Sequence, residues 1–550
     1  MRLPWPWATV ASRALPLATG RNAWPEHPIE GQAEPPGGIA ASPLPALLLT
    51  WAIGLALVGG TVYLTPTTSP WLLALVAIAV PIICLLWSRP ELGLLGISLI
   101  TAALVPRTLV TFSLAGFDLY VADILLIAML TLLFLRGLHR RTLEIPRWSM
   151  TGPLLAFTAF AVFSALYARY HHGVSVGLIV GELRPAAYAG GCALVAGMLA
   201  RRQQHTILLV GLFVIADMTT GLMMLQQFLG ATLGPVTTFQ ELWQVGEAGT
   251  SGEGLGSVRV VPPAHVLMYL MTNIACCLLL GPLRSSWLRF ALALQLVFLG
   301  TGLLLTYTRA QWIASVIALL LACALLPPAA RKRLGRFLIL AVPILGLCVG
   351  LVGNGVLPLG ETGFGQALAE RATSVLTPGE TLGTASLGWR SFEVEAAIRS
   401  LSEHPILGVG LGNDYRELTL LQGEASGWLY DLSGPSRLTR FVHSSYVYLA
   451  VKVGLVTMVV FFWFCLAFLV EGSRVYSESP EDSPKYIVLA SVCSFAGLLE
   501  WGVFEAHFML PASMATLGLM VGIVAAGSRY PAPEDPGGEP RRARLAQVSR

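Results

Sequence analysis

Apolar positions run in long blocks along this chain instead of alternating with polar ones at strand or amphipathic-helix spacing. About fourteen blocks approach the ~20 residues that cross a bilayer as helix. They lie at 43–64, 71–88, 92–106, 119–136, 152–168, 186–200, 206–228, 262–283, 287–306, 310–328, 336–357, 441–470, 486–503 and 508–527. The third is short enough to be re-entrant. The expected class is all-α: a polytopic integral membrane protein of about 12–14 transmembrane helices with one large outer loop carrying short amphipathic helices. Helices 1–11 would occupy 43–357, the loop 358–440, and helices 12–14 441–528.

Residues 1–42 and 529–550, rich in Pro, Gly and charge, read as disordered tails, and the first lacks the apolar core of a signal peptide. Alternate connections collect the basic residues: Arg136, Arg140, Arg141 and Arg147, then Arg201 and Arg202, then Arg331, Lys332, Arg333 and Arg336. The opposite short connections hold only Arg107, Arg169, Arg184, Arg259 and Arg309. The positive-inside rule therefore puts both tails in the cytoplasm and the long loop outside.

Charged residues make up 12% of the 550, about half the roughly 25% usual in soluble domains. A net charge of +4 supplies no basic field, so a nucleic-acid binder is a poor fit, and so apolar a chain fits a cytosolic enzyme or a secreted disulfide scaffold no better. All eight cysteines sit in apolar blocks, so neither a disulfide nor a metal cluster is expected. No fixed-period repeat and no interrupted-helix symmetry of the transporter kind is visible.

Chemistry is to be sought in the long loop and its neighbours. Within it, 389–403 has helical spacing: Val394, Ala397, Ile398 and Leu401 form an apolar face, Glu395 and Arg399 sit four apart on the wet one, and Pro405 ends the helix. Arg390 projects from the apolar face, either snorkelling at the membrane surface or awaiting an anion. The following His404-Pro405-Ile406-Leu407-Gly408-Val409-Gly410-Leu411-Gly412-Asn413 does not fit a dinucleotide loop; its glycines suit tight turning or close backbone approach.

At about 45 Å as helix, 441–470 is too long for the bilayer, so its first turns protrude or it tilts. His443 then lies at headgroup depth, as an anchoring ring beside Tyr446 and Tyr448 or as a working one. The short hairpin Tyr307-Thr308-Arg309-Ala310-Gln311-Trp312 holds a guanidinium at the surface, where a phosphate suits it, whether of an ordinary lipid or of a substrate. Asp123, Glu182, Arg184, Lys452, Glu500, Glu505 and His507 gather near outer span ends, with Asp217 alone near mid-span; interhelical ion pairs account for some of them on one reading, function on another.

Three segments in order resemble the bacterial O-antigen ligase and polysaccharide polymerase family of membrane glycosyltransferases. They are Leu305-Thr306-Tyr307-Thr308-Arg309-Ala310-Gln311-Trp312, then Trp389-Arg390 through the His404 to Asn413 string, then His443-Ser444-Ser445-Tyr446 through Val453-Gly454-Leu455. Thr308-Arg309-Ala310 keeps the arginine of the family's Ser-Arg-Gly, and His443-Ser444 stands where the family has His-Asn. The resemblance implies transfer of a glycan from an undecaprenyl-diphosphate carrier to a sugar hydroxyl at the periplasmic face of the bacterial inner membrane. Arg309, Arg390 and His443 would be catalytic, and Arg184, Lys452 and Glu500 substrate-binding. The implied partners are the lipid-linked glycan donor, a glycan or lipid A core acceptor, membrane lipids and other polysaccharide-assembly membrane proteins, with no cofactor or metal. The rival reading is a transporter or flippase, which would keep its critical charges at the bilayer midplane.

Overall fold

The computed structural model describes residues 82–105, 110–114, 117–140, 148–199, 202–233, 244–247, 258–283, 285–336, 339, 385–416, 439–480 and 483–527. The expected span 43–64, most of 336–357, both tails and the rest of the long loop lie outside the described residues. Among those described, the protein is overwhelmingly helical, and six helices are long and apolar enough to cross a membrane. It is an all-α polytopic membrane protein.

In chain order the helices are α1 (Pro90–Thr101), α2 (Val121–Arg140), α3 (Thr151–His172), α4 (Val176–Gly197), α5 (Arg202–Leu233), α6 (His265–Leu280), α7 (Ser286–Leu305), α8 (Arg309–Leu325), α9 (Ala385–Glu403), α10 (Ser445–Glu478), α11 (Ser483–Phe504) and α12 (Pro511–Gly527). Two antiparallel hairpins, Thr111–Leu114 with Phe117–Tyr120 and Gln244–Glu247 with Val258–Val261, lead into α2 and α6.

The third apolar block forms α1, whose 12 residues span only about 18 Å. It is bent by 116° from Ile82–Ser88. Pro90 at its first turn fixes the corner, because the residue before a proline is held out of helical geometry.

Helix α4 starts well before the expected 186. Glu182, Arg184 and Pro185 make that stretch read as a connection, so Arg184 is expected in an outer loop; it lies inside the helix instead. Both charges have partners within the bundle, which removes the penalty that would have ended the span.

The tightest helix pair is α4 with α12, where small residues let the backbones meet. A Cβ on Gly518 would come within 2.6 Å of Ala189 O, and one on Gly522 within 2.3 Å of the Ala196 Cβ. Val297, Val459 and Leu466 stay exposed on the outside, as a lipid-facing surface requires. Asp217 on α5, the mid-span charge behind the transporter reading, accepts a hydrogen bond from Gln295 of α7. The seven described cysteines are free.

Helix α10 is broken. Gly454, inside it, has φ +80° and ψ 168°, a region open essentially to glycine alone. The glycine-rich turn fills the break: Val409 N donates to Val451 O at 2.8 Å, Gly410 N to Lys452 O at 3.0 Å, and Leu455 N to Pro405 O at 3.0 Å. Ser164 of α3 adds a hydroxyl to Lys452 O. Backbone groups freed by the break are thus paired inside the protein, the condition for tolerating one at membrane depth. The glycines serve the close approach expected of them, since a Cβ on Gly408 would stand 2.4 Å from Val451 O.

Gly454→Ala tests this joint. Its Cβ would lie 2.0 Å from Ile406 O, and the backbone conformation alone costs roughly 1–3 kcal/mol. Thermal unfolding of the detergent-solubilised variant should start at clearly lower temperature than that of the parent. An unchanged transition would mean that the break is not needed.

Candidate functional site

Three chain segments converge at one end of the bundle: the α7–α8 hairpin, the amphipathic helix α9, and the stretch before α10. The hairpin is stapled by its own side chains. Thr306 Oγ1 donates to Gln311 Oε1 at 2.8 Å, and Trp312 Nε1 to Leu303 O at 3.2 Å. Tyr307 takes φ +51°, a conformation rare for a bulky residue, and so delivers the next turn sharply. Arg309 is the first residue of α8, where the positive end of the helix dipole adds to its own charge.

Helix α9 covers the predicted 389–403 and ends before Pro405. Glu395 and Arg399 pair at 3.6 Å on its exposed face, as their spacing implies. Its inner stripe differs from the expected apolar one: Ile398 is exposed, and Glu393, Ala397 and Ser400 are buried, with half-buried Arg390 one turn before Glu393. Arg390 acts electrostatically on half-buried Arg309, so two like charges share this end of the bundle. Two neighbouring guanidiniums repel one another, and a planar fork of donors on each is suited to phosphate oxygens.

His443 lies just before α10, outside the helix, with Ser444 as the N-cap. Its Nδ1 is 2.7 Å from Glu393 Oε2, and its backbone N donates to the same oxygen at 3.1 Å. Glu393 Oε1 meets Arg416 at 3.7 Å. Glu393 Oε2 accepts from the His443 backbone N–H, and with the Arg416 guanidinium at its other oxygen the carboxylate acts as the acceptor for the ring, the arrangement that places the imidazole proton on Nδ1. The ring, 36% exposed, therefore offers the Nε2 lone pair to a ligand. Arg416 stacks on Tyr415 and Phe392, and burial lowers its pKa from the ordinary arginine value while Tyr415 and Glu393 oppose that fall.

The remaining sequence-selected residues are engaged elsewhere. Arg184 is buried, pairs with Asp123 at 2.9 Å, donates to Asp118 O and lies over the Tyr120 ring. Lys452 is fully buried, bonded to Glu182 at 3.1 Å and to Asn413 O, while Glu182 also accepts from Gly412 N. These two heads clamp the α2–α4 contact and the glycine turn; neither joins the Arg309, Arg390 and His443 group. Glu500 lies on α11 with one buried oxygen that has no hydrogen-bond partner among the described residues.

Glu393 and Arg416 escape sequence reasoning. The available signal was spacing, since Glu393 stands three residues after Arg390 on the same helical stripe. His265, Glu505 and His507 also gather beside the site. Gln311 Nε2 bonds to His265 O at 3.4 Å, and Ser445 Oγ donates to Glu505 O at 2.7 Å.

Residues 274–462 match the family model described as O-Antigen ligase. That stretch begins in α6, ends in α10, and contains Arg309, Arg390, Glu393, Arg416 and His443. No curated protein matches the chain.

Proposed function

From an O-antigen ligase domain over residues 274–462, we propose that this enzyme transfers a glycan from an undecaprenyl-diphosphate carrier to an acceptor sugar hydroxyl at the periplasmic face of the bacterial inner membrane. The observation that carries the reading is the Glu393–His443 pair beside two neighbouring guanidiniums. Arg309 and Arg390 hold the diphosphate and stabilise the charge that grows on it as the glycosidic bond breaks. That task needs no metal at the phosphates.

His443 Nε2 takes the proton of the attacking hydroxyl, while Glu393 fixes the tautomer and steadies the imidazolium that forms. Attack on the face opposite the leaving diphosphate inverts the anomeric centre. Donor glycan and acceptor, either a lipid A core sugar or another carrier-linked chain, meet over the half-exposed imidazole. A solute carrier is disfavoured because Asp217 is bonded to Gln295 while the cations gather at one end of the bundle.

Purified protein supplied with carrier-linked repeat units and acceptor should release undecaprenyl diphosphate and form a linkage of opposite anomeric configuration, read by NMR. Retention, or release of the carrier without a new glycosidic bond, would overturn the reading. In a deletion strain, capped single repeats without long chains would identify the acceptor as a second carrier-linked glycan. Long carrier-linked chains missing from lipid A would identify it as the core.

A further inference from the structure

Behind the turns that carry Arg309 and His443, three side chains meet: His265 at the start of α6, and Glu505 and His507 in the connection between α11 and α12. One ligand-capable atom of each lies within 4.8 Å of the others. Both rings are buried, whereas Glu505 is 22% exposed and opens the cluster outward.

His265 Nδ1 stands 2.6 Å from Pro262 O. A carbonyl only accepts, so that nitrogen holds the proton and Nε2 presents a lone pair. The lone pair faces His507 Nδ1 at 3.3 Å, and the other nitrogen of His507 faces Glu505 Oε2 at 3.5 Å. A neutral imidazole has one N–H for these two neighbours, and His507 Nε2 is buried with no hydrogen-bond partner among the described residues. A second proton on His507 would put a cation on a buried ring packed against Trp501 at 4.0 Å.

A cation between His265 Nε2 and His507 Nδ1 takes both facing lone pairs and leaves the His507 proton on Nε2, and Glu505 supplies a carboxylate oxygen from within the same 4.8 Å cluster. The 3.3 Å between the two ring nitrogens is the edge of a tetrahedron built on metal–nitrogen bonds of about 2.0–2.1 Å. Pro262 O supplies the outer hydrogen bond that orients a metal-bound histidine.

The geometry points to a divalent first-row transition metal, zinc above all, bound by His265, Glu505 and His507. Two imidazoles with one carboxylate suit zinc and leave a fourth position for water. The ion ties α6 to the α11–α12 connection. Through the bonds of His265 O to Gln311 and Glu505 O to Ser445, it braces the turns bearing Arg309 and His443. Its existence does not depend on the glycosyl-transfer reading.

The test uses the full chain in detergent, purified through a tag free of histidine, incubated with zinc chloride and desalted before elemental analysis. The parent should hold about one zinc per chain, and His507→Gln and Glu505→Gln about tenfold less or lower still. Arg390→Ala should keep the metal. EDTA should lower the melting temperature of the parent and zinc restore it, an arm that needs no variant to fold. A parent that stays metal-free, equal zinc in parent and variants, or a melting temperature that neither EDTA nor zinc moves would overturn the site.

Discussion

Arg390→Ala should slow glycan transfer by about 10²–10³-fold, the usual loss when one preorganised donor is removed from a developing negative charge. The loss should fall on kcat more than on KM, because the guanidinium gains most when the diphosphate has begun to leave and carries extra charge. Arg390 shares its end of the bundle with Arg309, which lies at a helix N-terminus, and on the proposed reading the two hold one diphosphate. The double variant Arg309→Ala with Arg390→Ala should therefore lose less than the product of the single losses. Arg390→Lys should recover only part of the rate, since an ammonium keeps the charge but not the planar fork that matches phosphate. These values follow from initial rates with carrier-linked donor and purified protein. Unchanged rates in Arg390→Ala would leave Arg390 as a residue that merely packs at the membrane surface.

The parts of the fold legible in the sequence are those set by local chemistry. The apolar blocks mark α5, α7, α8 and α11 to within a few residues, and Pro405 and the Glu395–Arg399 spacing mark the end and wet face of α9. What stayed hidden depends on partners distant in the chain. Helix α4 starts early because Asp123 and Lys452 neutralise its charges across helix contacts. The break in α10 was invisible, because Gly454 in an apolar run looks like any membrane-helix glycine until Pro405 and Val409 supply its missing hydrogen bonds. The candidate site divides the same way. Arg309 and His443 stand out as costly groups near span ends, and Arg390 as a charge on the apolar side of the loop helix. Glu393 reads as one more charge on a helix, until His443 and Arg416, brought from later in the chain, show that it faces inward.

That hidden carboxylate separates the two roles open to His443. As an anchoring ring at headgroup depth, His443 needs no ionised partner on Nδ1, and replacement would cost stability but little rate. With Glu393 Oε2 at 2.7 Å fixing the proton on Nδ1, the exposed Nε2 is a prepared base. His443→Ala should then lower the transfer rate by about 10²–10⁴-fold. Glu393→Gln keeps the side-chain volume but withdraws the charge that stabilises the imidazolium, so its rate should fall between parent and His443→Ala. It also leaves buried Arg416 facing a neutral amide, so its melting temperature should fall as well, whereas that of His443→Ala should change little because the ring is partly exposed. In the combined variant, Glu393→Gln should cost almost no further rate once His443 is Ala, because the carboxylate acts through the ring. Independent, multiplying rate losses would show that Glu393 touches the reaction by another route, and a His443→Ala enzyme of normal rate would return the ring to its anchoring role.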